Sequence, residues 1–349
     1  MRLHLIPFFV VATVGFSADT APALIHLENA AVVVEVAPTL GGRIATLRRP
    51  QGENVFLYTP PASVPTASPD GPFLPANGHV VWLGPQSDWW THQELNPQRA
   101  KEHATWPPDP YLEYGTMTVS EQTPTSLSLR GPASPVSGIQ IATTIHLEAD
   151  GAVVQTIAVT NVSTHAVAWD LWPNTRVRPD ARFYAPYIAG SRLKVVFGTN
   201  DPTKETPLPP VVADGLLSFD TTIAPGTENL LHVAKAYVPA NEPRLYAVAP
   251  HDLLTVVARA PVGAVHPDQS PVEVFQLVGG DPVRALLELE FHSGYTTLPP
   301  GGVLRSAVAW RVSAYSGEPT PAAHRHAIRE RDADVTRLRE LVAAKPDER

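Results

Sequence analysis

Three ionisable side chains alternate along one short apolar segment near the end of the chain. The segment Glu288-Leu-Glu-Phe-His292 carries two carboxylates and an imidazole at every second residue. Successive side chains of a strand point to opposite faces, so a strand here would place Glu288, Glu290 and His292 in a row, each about 7 Å from the next. Such a row could transfer protons, because a neighbouring carboxylate raises the pKa of a second carboxyl group or of an imidazole. The alternative is an ordinary strand face exposed to water.

A second alternating set lies in the segment WDLWPNTR, residues 169–176. Its polar and aromatic members at every second position are Asp170, Trp172, Asn174 and Arg176. They would share one face of a strand if Pro173 does not break it, since proline cannot donate a hydrogen bond to a neighbouring strand. The alternative is an edge strand whose side chains only pack across to a neighbour.

Two proline-rich and tryptophan-rich segments, NGHVVWLGPQSDWW (77–90) and WPPDPYLEYG (106–115), combine aromatic rings with polar groups. The set comprises His79, Trp82, Gln86, Asp88, Trp89, Trp90, Trp106 and Asp109. Carbohydrate sites need both kinds of group, because a sugar ring has apolar C–H faces and a hydrogen-bonding rim. The alternative is an aromatic cluster that covers a sheet edge.

The aspartate between prolines has two interpretations of its own. Pro107, Pro108 and Pro110 restrict the backbone on both sides of Asp109, which lowers the entropy that a binding loop loses. We expect Trp106 to stack on a sugar and Asp109 to accept a hydrogen bond from a hydroxyl group. The alternative is that Asp109 caps a local turn or pairs with an arginine such as Arg176.

The elements that would position these groups are β-strands. From about residue 22 to 316, short alternating segments are separated by glycine and proline turns, which is typical of an all-β sandwich or barrel. Predicted strands include residues 31–37, 44–48, 139–148, 153–160, 192–197, 245–249, 254–260, 272–278, 285–292 and 304–312. Residues 59–114 show little alternation and are predicted to be a long irregular segment. Residues 320–344 are charged, carry an apolar stripe and are predicted to form a short C-terminal α-helix.

Composition narrows the function classes. The 349 residues are 44% hydrophobic and 17% charged, with a formal net charge of -8, so we expect a folded protein without a nucleic-acid partner. The absence of cysteine excludes disulfides, cysteine catalysis and thiolate metal sites. The chain has no HExxH, Walker A or GxGxxG motif, and we expect neither a cofactor nor a metal.

The first residues, MRLHLIPFFVVATVGFSA, have the layout of a secretory signal: Arg2, an apolar run from Leu5 to Val14, and then small residues. The run is too short to span a bilayer comfortably. The alternative, a buried first strand or helix, would be interrupted by Pro7. We therefore expect a signal peptide over residues 1–18, a sandwich domain over 19–316 and a helical tail over 317–349. The mature protein would be periplasmic or extracellular, without a membrane span.

The order of several motifs resembles that of galactose-mutarotase-like (aldose 1-epimerase-like) proteins. VEVAPTLGGRIATLRRPQGENVFLY (34–58) resembles their opening hairpin. The later motifs, in similar order, are the Asp150-Gly151 turn, Asn161-Val-Ser163, residues 169–176, ELEFH at 288–292, LPPGG at 298–302 and Trp310. Together with NGHVVWLGPQ and WPPDPYL, they are similar to an uncharacterised, mostly bacterial branch of that superfamily, over about residues 24–315. The resemblance implies a β supersandwich with a sugar site on a concave face.

The resemblance also implies roles for individual residues. Mutarotases use a histidine as acid and a glutamate as base, and the matching glutamate is Glu290 or, as an alternative, Glu288. The family's histidine position corresponds to Asn174, and asparagine cannot transfer a proton at neutral pH. His79 or His292 would have to take its place.

Three function classes remain open. The first is an exported sugar-active enzyme of the epimerase type that uses Glu290 with His79 or His292. The second is a carbohydrate-binding protein of the same fold without proton transfer. Both would bind a small sugar or the end of a glycan. The third, a structural or protein-binding sandwich, explains the tryptophan-rich segments least well.

Overall fold

A computed structural model describes residues 22–201, 203–204, 207–240, 242–279 and 285–344. The expected signal peptide, residues 1–18, lies outside the described residues. In chain order, the strands are β1 Ile25–Glu28, β2 Val33–Ala37, β3 Arg43–Arg48, β4 His79–Gly84, β5 Thr118–Gln122, β6 Ser126–Ala133, β7 Ile139–Leu147, β8 Val153–Asn161, β9 Val167–Val177, β10 Arg182–Pro186, β11 Lys194–Thr199, β12 Pro210–Ala213, β13 Leu216–Phe219, β14 His232–Val238, β15 Arg244–Val248, β16 Asp252–Ala258, β17 Val272–Val278, β18 Leu286–Phe291, β19 Thr296–Leu298 and β20 Val303–Ala314.

These strands form two ten-stranded sheets. The first sheet has the order β1-β2-β3-β4-β9-β18-β17-β14-β11, and β19 pairs with β9. The second has the order β12-β13-β10-β15-β16-β20-β8-β7-β6-β5. Neighbouring strands run antiparallel in both sheets. The predicted all-β sandwich is therefore confirmed.

The main core lies between the sheets because each strand turns one apolar face inward. Leu171, Leu289 and Val274 of the first sheet share one buried cluster with Val256 and Ile157 of the second. At about 25 cal/mol per Å² of apolar surface removed from water, burial of this cluster is the main term that favours folding.

The sequence predictions about elements were wrong for region 59–114, and they missed several strands. The region 59–114, predicted to be irregular, contains β4, which is a central strand between β3 and β9. It also contains two short helices, α1 Pro97–Lys101 and α2 Pro110–Glu113. The other strands that were not predicted are β1, β5, β6, β10, β12, β13, β14 and β19; in β14, polar His232 and Lys235 interrupt the apolar pattern.

The C-terminal segment forms two helices where one was predicted, α3 Pro321–Arg329 and α4 Asp332–Ala343. Thr320 caps the first helix by accepting a hydrogen bond from the backbone N–H of Ala323, and Glu330 and Arg331 separate the two helices. The apolar stripe of α4 packs on the outer face of β16 and β20. Arg259 donates to the carbonyls of Val342 and Ala344 and so holds the end of α4. Among the described residues, no helix is long and apolar enough to cross a membrane.

Candidate functional site

The middle strands of the first sheet carry a buried polar face on the side away from the second sheet. We call this the polar face; its members are Asp170, Trp172, Asn174 and Arg176 of β9, Glu288 and Glu290 of β18 with His292 just after it, Glu273 of β17 and Lys235 of β14. Strand pairing places Glu290 directly between Asn174 and Glu273. The alternation predicted for β18 and β9 is confirmed, and Pro173 does not break β9.

Glu290 lies at the centre of the polar face and is 0% exposed. Its Oε2 atom accepts hydrogen bonds from Trp172 Nε1 at 2.8 Å and from Lys235 Nζ at 2.7 Å. Burial raises the pKa of Glu290 to about 7, although the Lys235 ammonium opposes this rise. The alternative of an exposed strand face is therefore wrong for Glu290, whose carboxyl group can change protonation near neutral pH.

His292 is held between two carboxylates. Its Nδ1 lies 3.1 Å from Asp170 Oδ1, and its Nε2 lies 3.5 Å from Glu273 Oε1. Burial alone would lower the pKa of His292, but the charges of Glu273 and Asp170 outweigh burial and raise the pKa to about 9. Glu273 shows the converse effect: Lys235 and His292 overcome its burial and lower its pKa to about 2.

Asn174 is buried directly opposite Glu290 on the neighbouring strand, and among the described residues its side-chain amide is unpaired. Within the described part of the chain, neither its Nδ2 nor its Oδ1 has a hydrogen-bond partner, and the same holds for Glu290 Oε1 and Asp170 Oδ2. Buried polar groups are almost always paired, and leaving one unpaired costs about 1–3 kcal/mol. This group of unpaired atoms on one face therefore needs an explanation.

An ion pair borders the polar face on the side of Arg176 and Glu288. Arg176 Nε donates to Glu288 Oε1 at 2.7 Å, and its guanidinium lies 5.0 Å from the centre of the Trp82 ring. The side chains of Glu288 and Lys235 are 10% and 14% exposed, whereas Glu290 is fully enclosed. Among the members of the polar face named above, Glu288 and Lys235 are thus the two that are partly exposed.

A tryptophan cluster packs against the polar face around Trp172. The ring of Trp172 lies 5.3 Å from Trp82 and 5.9 Å from Trp89, and Trp106 lies 6.1 Å from both Trp82 and Trp89. Trp82 is buried, and its Nε1 donates to Glu113 Oε2 at 2.6 Å. The two tryptophan-rich segments thus meet beside Trp172 of β9, and their rings pack on each other. Sugar stacking by Trp82 and Trp106 stays a prediction.

Asp109 occupies the capping geometry that was the alternative to sugar recognition. It is buried at the start of α2, where Oδ1 accepts from Tyr111 N at 2.9 Å and Oδ2 accepts from Ser137 Oγ at 2.7 Å and from Ser134 Oγ. Burial raises its pKa, and the two serine hydroxyls counteract that rise. The structure gives Asp109 no pairing with Arg176, whose carboxylate partner is Glu288.

His79 must be corrected as a partner for Glu290, because it points to the other side of the sheet. Strand pairing places His79 opposite Thr175, which lies between Asn174 and Arg176 and therefore points to the other side of the sheet. Its Nδ1 lies 2.9 Å from Thr175 Oγ1 and its Nε2 lies 2.7 Å from Gln155 Oε1 of the second sheet. Burial lowers its pKa to about 3. His79 is thus a neutral core histidine.

Gln86 and Asp88 lie in a short turn after β4. Gln86 Nε2 donates to the carbonyl of Thr105 at 2.7 Å, which ties the two tryptophan-rich segments together. Asp88 accepts from Ser87 Oγ at 3.1 Å and lies 3.5 Å from the hydroxyl of Tyr295. Their contacts are with loop residues and not with Glu290, so their predicted role in binding remains a prediction.

Comparison with known proteins identifies the family. The family model described as "Domain of unknown function (DUF4380)" matches residues 23–313. The chain belongs to this DUF4380 family. No curated protein matches this DUF4380 chain by sequence.

Solved structures show the fold of this DUF4380 member. The Slr1438 protein of Synechocystis is similar with a TM-score of 0.53 and 13% identity, over 87% of this chain and 100% of that one. A galactose mutarotase-like protein of Lactobacillus casei is similar with a TM-score of 0.50 and 13% identity, over 83% of this chain and 100% of that one. A TPR-domain containing protein of Parabacteroides distasonis is similar with a TM-score of 0.51 and 12% identity, over 84% of this chain. The match spans only 48% of that protein. The predicted galactose-mutarotase-like fold is confirmed.

Two members of the polar face were missed from the sequence. Glu273 lies inside a correctly predicted strand, VEVFQLV, where a lone carboxylate among apolar residues was a usable sign of a buried partner. Lys235 lies on the unpredicted strand β14 and bonds both Glu273 and Glu290 at 2.8 and 2.7 Å. Only the pairing of distant strands reveals that one ammonium joins the two carboxylates.

Proposed function

We propose that this DUF4380 protein binds a carbohydrate, either a monosaccharide or the end of a glycan, at the polar face. The observation that carries the proposal is the pair of neighbouring unpaired groups, the Asn174 amide and Glu290 Oε1. A sugar hydroxyl both donates and accepts, so it can satisfy an amide and a carboxylate at the same time. The fold supports the proposal, because a protein of Lactobacillus casei with this fold is named as galactose mutarotase-like.

The route by which a ligand reaches the polar face depends on the residues that cover this face. The border at Glu288 and Lys235 is partly exposed, and the tryptophan cluster closes the opposite side. Trp172 of this cluster lies beside Asn174, because its Nε1 donates to Glu290 Oε2, and Trp106 is the ring of the cluster that is only half-buried. Binding should therefore change tryptophan fluorescence.

The test is a titration of the purified protein with monosaccharides and short glycans, followed by tryptophan fluorescence and calorimetry. Asn174→Leu replaces the amide by an apolar side chain with the same branching and the same number of non-hydrogen atoms, and it should weaken binding at least tenfold. Gln276→Met is the matched control: Gln276 is also a buried amide with an unpaired Oε1, but alternation along β17 turns it to the core side. Equal affinities for both variants, or no saturable binding of any sugar, would contradict the proposal.

A second candidate function is proton transfer of the aldose 1-epimerase type. It is favoured by the pKa of Glu290, which burial raises to about 7 and which suits a general base at neutral pH. His292 is the remaining candidate acid, since His79 lies on the opposite side of the sheet. Polarimetry on freshly dissolved sugars distinguishes the two functions. Binding without faster mutarotation supports simple recognition.

We also propose export, on the grounds of Arg2 and the apolar run of residues 5–14. Export would place the site where it meets sugars outside the cytoplasm. N-terminal sequencing of protein from the periplasm or medium should give a mature chain that begins near Ala18 or Asp19. Recovery of chains that begin at Met1 would contradict this proposal.

A further inference from the structure

We propose that Glu273, Glu290 and His292 form a site for one divalent transition-metal ion of the zinc class. Each of the three offers one ligand atom, and these atoms all lie within 4.8 Å of one another. All three residues are buried; Glu273 and Glu290 are paired on neighbouring strands, and His292 follows Glu290 by two residues, just after the end of β18. The sequence analysis predicted no metal site, and this proposal departs from that prediction.

The distances approach those of a metal centre. A zinc ion with bonds of 2.0–2.2 Å holds its tetrahedral ligand atoms roughly 3.3–3.6 Å apart. His292 Nε2 and Glu273 Oε1 are already 3.5 Å apart. The Glu290 oxygen lies no more than 4.8 Å from the other two ligand atoms, so the same spacing requires a side-chain shift of at most about 1.5 Å.

Unpaired atoms provide an independent observation. Among the residues that the structure describes, Glu290 Oε1 has no hydrogen-bond partner, and the nearest carboxylate to His292 Nε2 is Glu273 Oε1 at 3.5 Å, too long for a good hydrogen bond, although both residues are at least nine-tenths buried. A buried nitrogen and oxygen without partners are costly unless something binds them. A metal ion accepts both lone pairs at once.

The surrounding groups are arranged as around a metal ligand. Asp170 Oδ1 lies 3.1 Å from His292 Nδ1, and a carboxylate on one imidazole nitrogen directs the lone pair of the other nitrogen toward an ion. The backbone N–H of Ser270 donates to Glu273 Oε1 at 2.9 Å. Trp172 and Lys235 hold Glu290 through Oε2, so Oε1 is left for the ion.

The charge of the cluster also favours a dication. Asp170, Glu273 and Glu290 carry three negative charges when ionised, and Lys235 supplies one positive charge within hydrogen-bond distance of two of them. Two negative charges remain if His292 is neutral. Buried charge must be compensated, and one divalent ion does so completely. Two protons bound to the cluster would compensate the same charge, so protons compete with the metal ion for these groups.

The ligand set indicates which ion binds. Imidazole with carboxylates suits Zn²⁺, Mn²⁺ or Co²⁺, whereas Mg²⁺ and Ca²⁺ prefer oxygen ligands alone. The inference does not rest on sugar binding, because the ion would bind without a sugar. A bound ion would take Glu290 Oε1 as a ligand, so it would exclude Glu290 as a base and leave the Asn174 amide as the unpaired group for a sugar.

The experiment uses the purified chain after treatment with a chelator. Uptake of Zn²⁺ is measured by elemental analysis and competition with a chromophoric chelator, and Co²⁺ is added as a spectroscopic probe. We expect about one equivalent of Zn²⁺, retained against a hundredfold excess of Mg²⁺ or Ca²⁺. Co²⁺ should show visible bands typical of four or five nitrogen and oxygen ligands.

Three variants distinguish this site from surface histidines. Glu273→Gln removes a ligand and should weaken Zn²⁺ binding at least a hundredfold. Asp170→Asn removes only the carboxylate behind His292 and should weaken it 10–100-fold, which keeps the test open if Glu273→Gln does not fold. His79→Gln, a change at a buried histidine outside the cluster, should leave the affinity unchanged. Less than a tenth of an equivalent in the unaltered protein, or equal affinities in all variants, would overturn the proposal.

Discussion

His79 provides a sharp test of the fold because its pKa is displaced far from the ordinary value. Burial between the sheets lowers this pKa from 6.5 to about 3, and the imidazole is bonded by Thr175 and Gln155. Between these two values the unfolded chain binds a proton that the folded chain does not. The contribution of His79 to stability is therefore complete above the unfolded pKa and decreases as the pH falls.

The expected magnitude follows from the two pKa values. Between pH 7 and pH 5 the free energy of unfolding should fall by about 2 kcal/mol because of His79 alone. At pH 4 the loss should reach about 3 kcal/mol, with a limit near 5 kcal/mol below pH 3. His79→Gln removes this dependence but sacrifices hydrogen bonds worth about 1–2 kcal/mol at neutral pH.

The assay is urea unfolding from pH 4 to pH 7.5, followed by tryptophan fluorescence, for the unaltered protein and for His79→Gln. The variant should be less stable at pH 7, equally stable between about pH 5 and pH 6, and more stable at pH 4. Titration of the other groups cancels in the difference between the two proteins. Parallel stability curves would show that His79 is not held neutral and would refute the core assignment. Sugar affinity should not change in His79→Gln.

Three further predictions concern the polar face and its cover. Asp109→Asn should lower the free energy of unfolding by about 1–3 kcal/mol, because the serine hydroxyls lose a charged acceptor, and should leave sugar affinity intact; a calorimetric melting curve unchanged from that of the parent protein would support the sugar-contact interpretation instead. Glu290→Gln should keep the fold and weaken sugar binding by about 1–3 kcal/mol in titration calorimetry, and unchanged affinity would place the ligand elsewhere. Lys235→Met should destabilise the metal-free protein by about 3–5 kcal/mol in urea unfolding, because two carboxylates lose their buried cation, and a neutral effect would mean that these carboxylates are protonated.

Much of the polar face could be predicted because strand alternation depends only on local sequence. The period of two in residues 288–292 placed Glu288, Glu290 and His292 together, and the same rule grouped Asp170 with Arg176. The structure confirms both sets on neighbouring strands. Their burial could not be predicted, since it depends on tryptophan-rich segments that are distant in the chain.

The errors have the same physical origin. His79 was grouped with Trp82 because both lie in one short segment, but three residues along a strand reverse the side-chain direction. Lys235 was missed because a charged residue in a strand is stabilised only by partners from other strands, here Glu273 and Glu290. Sequence periodicity shows which residues share a strand face, but the order of strands in the sheet determines which faces become neighbours.

The position of α4 has a consequence for the order in which the protein can be completed. This helix covers Tyr246, Val257 and Ala309 on the outer face of the second sheet, and it follows all the strands that it covers in chain order. During synthesis, that apolar surface stays uncovered until α4 has emerged from the ribosome and docked. The nascent sandwich therefore offers a temporary binding surface for a chaperone, which the completed chain then covers with its own helix. Chaperone crosslinking to nascent chains arrested before and after α4 would show when this cover forms.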